Sequence, residues 1–139
     1  MLRILGRISI YGSKASTERL SSLGVIPSGE LGQFGQKRGV PEPDSWCYAS
    51  PWYGFHADAL DEETNDFLAA HSKLGPLLAL PDDGIRYAMF TLCPVEQSEE
   101  EVFAFLLNRG TVELLANLGL ALEVSPAAVM PDVRYWNTK

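Results

Sequence analysis

The residues in this 139-residue chain best suited to chemistry are two histidines, two cysteines and several runs of carboxylates. Catalysis needs a nucleophile or an acid/base group held beside partners that tune it. His56 lies in an aromatic stretch, and His71 lies in a helical pattern whose other face is apolar. With Cys47 and Asp58 they could be imagined around a metal ion. Neither an HExxH nor a paired CxxC spacing is present, so ordinary loop and helix histidines are the simpler reading. No Gly-x-Ser-x-Gly elbow occurs, and the serines gather at helix starts and turns. The glycines from Gly29 to Gly39 form neither GxGxxG nor a Gly-Lys-Ser/Thr phosphate loop. Cys47 and Cys93 sit in apolar, strand-like segments and read as small buried thiols of a reducing compartment. The expectation is no catalytic residue, no metal and no cofactor, with an enzyme of unfamiliar site as the last alternative.

Recognition chemistry remains. The net charge is −7, and it is unevenly placed: residues 1–40 carry six basic groups against two acidic ones, residues 41–139 five against sixteen. An acidic surface attracts cationic partners and repels phosphate backbones within about a Debye length, which disfavours direct nucleic-acid binding. The carboxylates cluster as Asp61-Glu62-Glu63 with Asp66, as Asp82-Asp83 and as Glu99-Glu100-Glu101. Each cluster also has a structural explanation, as a helix start, a turn and a solvated loop respectively. Trp46 and Tyr48 alternate as sheet or core residues do. Trp52, Tyr53 and Phe55 follow Pro51 in an apparent loop, where they serve either as interface anchors or as a local mini-core. The expected partner contacts are therefore Trp52, Tyr53, Phe55, Asp61, Glu62, Glu63, Asp66, Glu99, Glu100 and Glu101.

These residues need a scaffold. Leu2, Ile4, Ile8 and Ile10 alternate with Arg3, Leu5, Arg7 and Ser9, the period of a half-buried strand. Ser16 to Leu23 reads as a short helix closed by Gly24. Seven Gly and Pro residues between Ile26 and Asp44 predict a long loop, over 27–44, of a kind that is usually mobile or functional. Trp46 to Ala49 reads as a strand, Leu60 to Lys73 as a helix broken near Gly75-Pro76, and Ile85 to Cys93 as a central strand with apolar residues on both faces. Val102 to Leu107 resembles both a capped helix and a strand, and its branched and aromatic content favours the strand. A helix from Thr111 to Leu118, a strand from Leu120 to Ser125 and an extended tail over 126–139 complete the chain. The order β-α-β-α-β-β-α-β suits a single α+β domain, an open sheet of about five strands with helices packed on one face. No apolar stretch is long enough for a transmembrane helix, and the amino terminus lacks a leader pattern, so a cytoplasmic chain is expected.

Several short stretches carry a family likeness: Arg7-Ile8-Ser9-Ile10, Leu23-Gly24-Val25-Ile26-Pro27, the Gly-rich loop leading to Ser45-Trp46, the acidic-start helix from Asp61, and Leu115 to Val124. Across nearly the whole chain the sequence resembles the bacterial domain-of-unknown-function family catalogued as number 4279. The resemblance implies a small α+β bacterial domain and brings no catalytic residues. Domains of this size and charge are similar to immunity proteins, which neutralise toxins in interbacterial competition. The leading expectation is a non-enzymatic protein that binds and blocks a basic toxin domain, such as a nuclease, whose substrate phosphates the carboxylates would mimic. A small-ligand or regulatory domain, with the Gly-rich loop and Trp46 to His56 as pocket walls, is the alternative.

Overall fold

A computed structural model describes residues 3–33, 46–81, 84–95, 107–125 and 134–136. The alternation at the amino terminus builds β1 (Arg3–Gly12), with Ile4, Ile8 and Ile10 buried on one face. Along one edge β1 pairs antiparallel with the length of β5 (Ile85–Val95). Along the other it meets β3 (Trp46–Ala49) and then β4 (Tyr53–His56), both antiparallel. Ser9 faces Ala49 whereas Gly6 faces Tyr53, so β3 and β4 are halves of one strand interrupted by an extra residue. Pro51 has no N–H to give the ladder. Ser50 repairs the gap: its N–H donates to the Ile8 carbonyl (2.9 Å), and its Oγ accepts from the Ile8 N–H (3.0 Å).

Outside these lie β2 (Glu30–Gln33), antiparallel to β3, and β7 (Arg134–Tyr135), parallel to β4. On the far side β6 (Ala121–Val124) runs parallel to β5. The result is one open mixed sheet with seven strands among the described residues. It is an α+β fold, as expected from the order of elements.

Among the described residues, four helices cover one face. They are α1 (Lys14–Ser22), α2 (Leu60–Ala69), entered through a 3-10 turn at Ala57–Ala59, α3 (Leu74–Leu78) and α4 (Arg109–Leu118). Leu20, Phe67, Leu74 and Leu115, one from each helix, join Ile4, Ile8, Ile10 and Phe90 in a single core. The α4 helix closes on Gly119 at φ 72°, a left-handed position that lets the Leu120 N–H reach the Leu115 carbonyl at 3.0 Å. Leu5 and Cys93, on the opposite face of the sheet, form a separate small cluster with Trp52.

Several boundaries differ from the sequence expectation. The first helix starts at Lys14, because Ser13 and not Ser16 is its cap, accepting from the Ser16 N–H at 3.2 Å. The expected loop over 27–44 contains β2. It is tied down by Tyr48, whose hydroxyl accepts from the Ile26 N–H (3.1 Å) and donates to the Ile26 carbonyl (3.2 Å). Residues 34–45 lie outside the described residues. The long helix from Leu60 stops at Ala69, while Gly75 and Pro76 lie within α3. Pro76 is tolerated there because first-turn N–H groups have no partner inside the helix. Of the strand expected at 102–107 only Leu107 is described, and it is in no strand. The carboxyl-terminal segment is not simply an extended tail, since Arg134–Tyr135 add a strand to the sheet and Trp136 N–H donates to the Gly54 carbonyl at 3.1 Å.

Candidate functional site

The aromatic segment after Pro51 is strand rather than loop, and its alternation divides its side chains between the two faces. Tyr53 and Phe55 point toward the helices. Phe55 is completely buried, so it is a core residue and not a partner contact. Gly6 on β1 makes this possible, because a Cβ there would strike the Phe55 ring and crowd that of Phe90. Phe67 of α2 lies at the centre of the resulting cluster, 5.4 Å from Tyr53, 5.6 Å from Phe55, 5.7 Å from Phe90 and 4.9 Å from Trp136 between ring centres. These edge-on and tilted geometries are the favoured ones for aromatic packing. The mini-core explanation therefore holds for Phe55, and for the inner side of half-buried Tyr53.

The carboxylates of α2 divide in a similar way. Asp61 Oδ1 accepts from the Asn108 N–H (2.8 Å) and the Thr111 hydroxyl (3.0 Å), clamping α2 to the start of α4. Glu63 is buried, and its Oε1 meets both the backbone N–H (3.1 Å) and the Nδ1 (2.7 Å) of His56. Glu63 thus caps the chain entering the 3-10 turn. Asp66 Oδ2 accepts from Trp136 Nε1 at 3.1 Å while staying exposed. Glu62 is exposed. Asp58, not among the expected contacts, is also exposed, in the 3-10 turn four residues before Glu62, and α2 contains no basic residue. Asp58 could have been found by spacing, had the 3-10 turn been recognised as leading into the helix. Asp82, Asp83 and Glu99 to Glu101 lie outside the described residues.

His71 is buried against Phe67, with ring centres 4.5 Å apart, and its Nδ1 bonds the Phe67 carbonyl at 2.8 Å. Burial holds its pKa below the usual histidine value, and the carbonyl bond opposes that only in part. It is a core histidine. Among the described residues no group of three or more His, Cys, Asp or Glu side chains could hold a metal ion. No helix of these residues is long and apolar enough to cross a membrane.

Trp52 lies on the opposite face of the sheet, half-buried, with the Arg7 guanidinium 4.5 Å above its ring. Ser9 is fully buried on the same face of β1. Neither Arg7 Nε nor Ser9 Oγ has a hydrogen-bond partner, and both are closed off from solvent. The nearby Cys47 thiol is pushed up by burial, a shift the Arg7 charge and a Tyr11 hydrogen bond partly offset. Cys93 is raised by burial and by the charge of Glu123. Both cysteines are free thiols, protonated and poorly nucleophilic at neutral pH. Period-two alternation placed Arg7 and Ser9 away from the isoleucines, but no sequence signal marked Trp52 as the stacking partner. No family model, no curated protein and no solved structure matches the chain.

Proposed function

We propose that this chain is a non-enzymatic, cytoplasmic binding protein of the immunity type, which docks a cationic protein domain on the acidic ridge of α2 and blocks it. One observation carries the reading: Asp58, Glu62 and Asp66 stand exposed with no basic side chain on the helix. Glu62 and Asp66, four residues apart on α2, repel each other at a cost of about 0.2–0.5 kcal/mol, and the macrodipole does not favour a carboxylate at Asp66, past the first turn. Glu62 suits the first turn of the helix and Asp66 holds Trp136, and all three carboxylates still face solvent. The electrostatic use of this exposed negative charge is to draw in and orient a basic surface. Trp136, half-buried and bonded to Asp66, supplies an aromatic side chain at the end of the ridge.

The partner to test is the basic carboxyl-terminal domain of any secreted protein encoded directly upstream. Association should slow at least tenfold between about 50 and about 500 mM salt, as screening shortens the reach of the ridge. Reversing Asp58 and Glu62 together to lysine should slow association severalfold and leave dissociation nearly unchanged. A rate constant indifferent to both salt and charge reversal removes the reading.

A further inference from the structure

The second face of the sheet carries an arrangement that binding at α2 does not use. Along β1, Arg7, Ser9 and Tyr11 project away from the helices. Across the ladders Ser9 lies opposite Ala49 on β3 and Met89 on β5, Tyr11 opposite Cys47, and Arg7 opposite Thr91. Two small side chains, Ser9 and Ala49, thus form a floor. Larger ones, Arg7 with Trp52, Tyr11 and Met89, stand around it.

The polar atoms at this floor are unmatched. Arg7 Nε and the Ser9 hydroxyl are both dehydrated and lack acceptors. Thr91 donates instead to Glu123 Oε1 at 3.2 Å. A cationic donor stripped of water without an acceptor costs free energy, and a fold tolerates that where a ligand supplies the missing oxygens. The guanidinium suits this role because it presents Nε and an Nη as a planar fork that matches two oxygens.

We propose that this floor is a binding site for the carboxylate or phosphate group of a small ligand, whose oxygens accept from Arg7 Nε and from the Ser9 hydroxyl while the Trp52 ring holds the guanidinium plane. The site lies on the face opposite α2 and is independent of the partner-binding reading. Because the Arg7 guanidinium sits 4.5 Å over the Trp52 ring, binding at Arg7 also alters the environment of Trp52.

The full-length chain, labelled with nitrogen-15, is titrated separately with sodium acetate and with inorganic phosphate at constant ionic strength set by chloride. The expected result is a saturable shift of the Arg7 Nε–H resonance with at least one anion, accompanied by a change in tryptophan fluorescence. The stronger of the two arms identifies the ligand group as carboxylate or phosphate. Arg7→Gln should abolish binding. Arg7→Lys, which keeps the charge and loses the fork, should weaken it about tenfold or more. Ser9→Ala should weaken it roughly threefold to tenfold. Thermal unfolding of each variant verifies that it is folded. A response to neither anion, a response centred on other residues, or affinity unchanged by Arg7→Lys and Ser9→Ala overturns the proposal.

Discussion

The α2 carboxylates on one face of the sheet and Arg7 on the other carry charges of opposite sign and are partnered differently. On the helical face, Asp61, Glu63 and Asp66 of α2 each meet a donor supplied by the fold, Asn108 and Thr111, His56, and Trp136, although Glu63 Oε2, Thr64 Oγ1 and His71 Nε2 are buried there without a partner among the described residues. On the other face, Arg7 and Ser9 each hold a donor atom that finds no acceptor. A run of carboxylates is conspicuous in a sequence, yet most of this one is consumed in holding helices and turns together. An arginine within an alternating strand attracts no notice, yet its Nε is a buried donor without an acceptor among the described residues. The contrast teaches that charge density in a sequence does not report which polar atoms the fold leaves without a partner.

The comparison can be broken most forcefully at Phe55. If it is a core ring, Phe55→Ala should lower unfolding stability by about 3–5 kcal/mol in urea denaturation, whereas an exposed anchor would cost almost nothing. Asp61→Ala should cost about 1–3 kcal/mol, since the Asn108 N–H and the Thr111 hydroxyl lose their acceptor. Glu62→Ala, on the exposed ridge, should stay within about 0.5 kcal/mol. A similar cost for both would show that the helix treats all its carboxylates alike.

His71 sharpens the same point through pH. Its pKa is depressed in the folded chain, so the unfolded chain binds the extra proton first. The stability that the neutral ring contributes is complete above the unfolded histidine value of about 6.5 and is lost as pH falls below it toward the depressed folded value. Urea midpoints measured from pH 7.5 down to about 5 should therefore decline, and His71→Leu should flatten that decline. The smallest change is expected at Arg7. Arg7→Met removes a half-buried charge that has no ion-pair partner among the described residues, so stability should move by less than about 1 kcal/mol or should rise, the lost Trp52 stacking being offset by relief of desolvation. A large loss would mean that Arg7 has a structural role that its contacts do not account for.

Much of the scaffold was legible because its signals are local. The isoleucine alternation of β1, the two Leu-Gly closures at Gly24 and Gly119, and the acidic start of α2 reflect backbone geometry within a few residues. Misreadings occurred where distant residues decide. Pro51 suggested a loop, but Ser50 bridges the break by bonding across to Ile8, forty-two residues away. Glycine and proline density suggested a structureless 27–44, but the Tyr48 hydroxyl grips Ile26 and lets β2 join the sheet. The terminal segment gave no periodicity, because its place depends on a tryptophan meeting Phe67, Tyr53 and Asp66 from elsewhere in the chain.

Composition and pattern alone determined that this chain has enough apolar periodicity for one α+β sheet with helices on one side, and that its charge is acidic. Those properties follow from side-chain spacing against backbone periods of 2 and 3.6 residues. Which carboxylates remain exposed, which ring is core and which arginine Nε is buried without an acceptor were decided only in three dimensions. Each depends on whether a complementary group arrives from a remote segment, and no local rule of spacing reports that arrival.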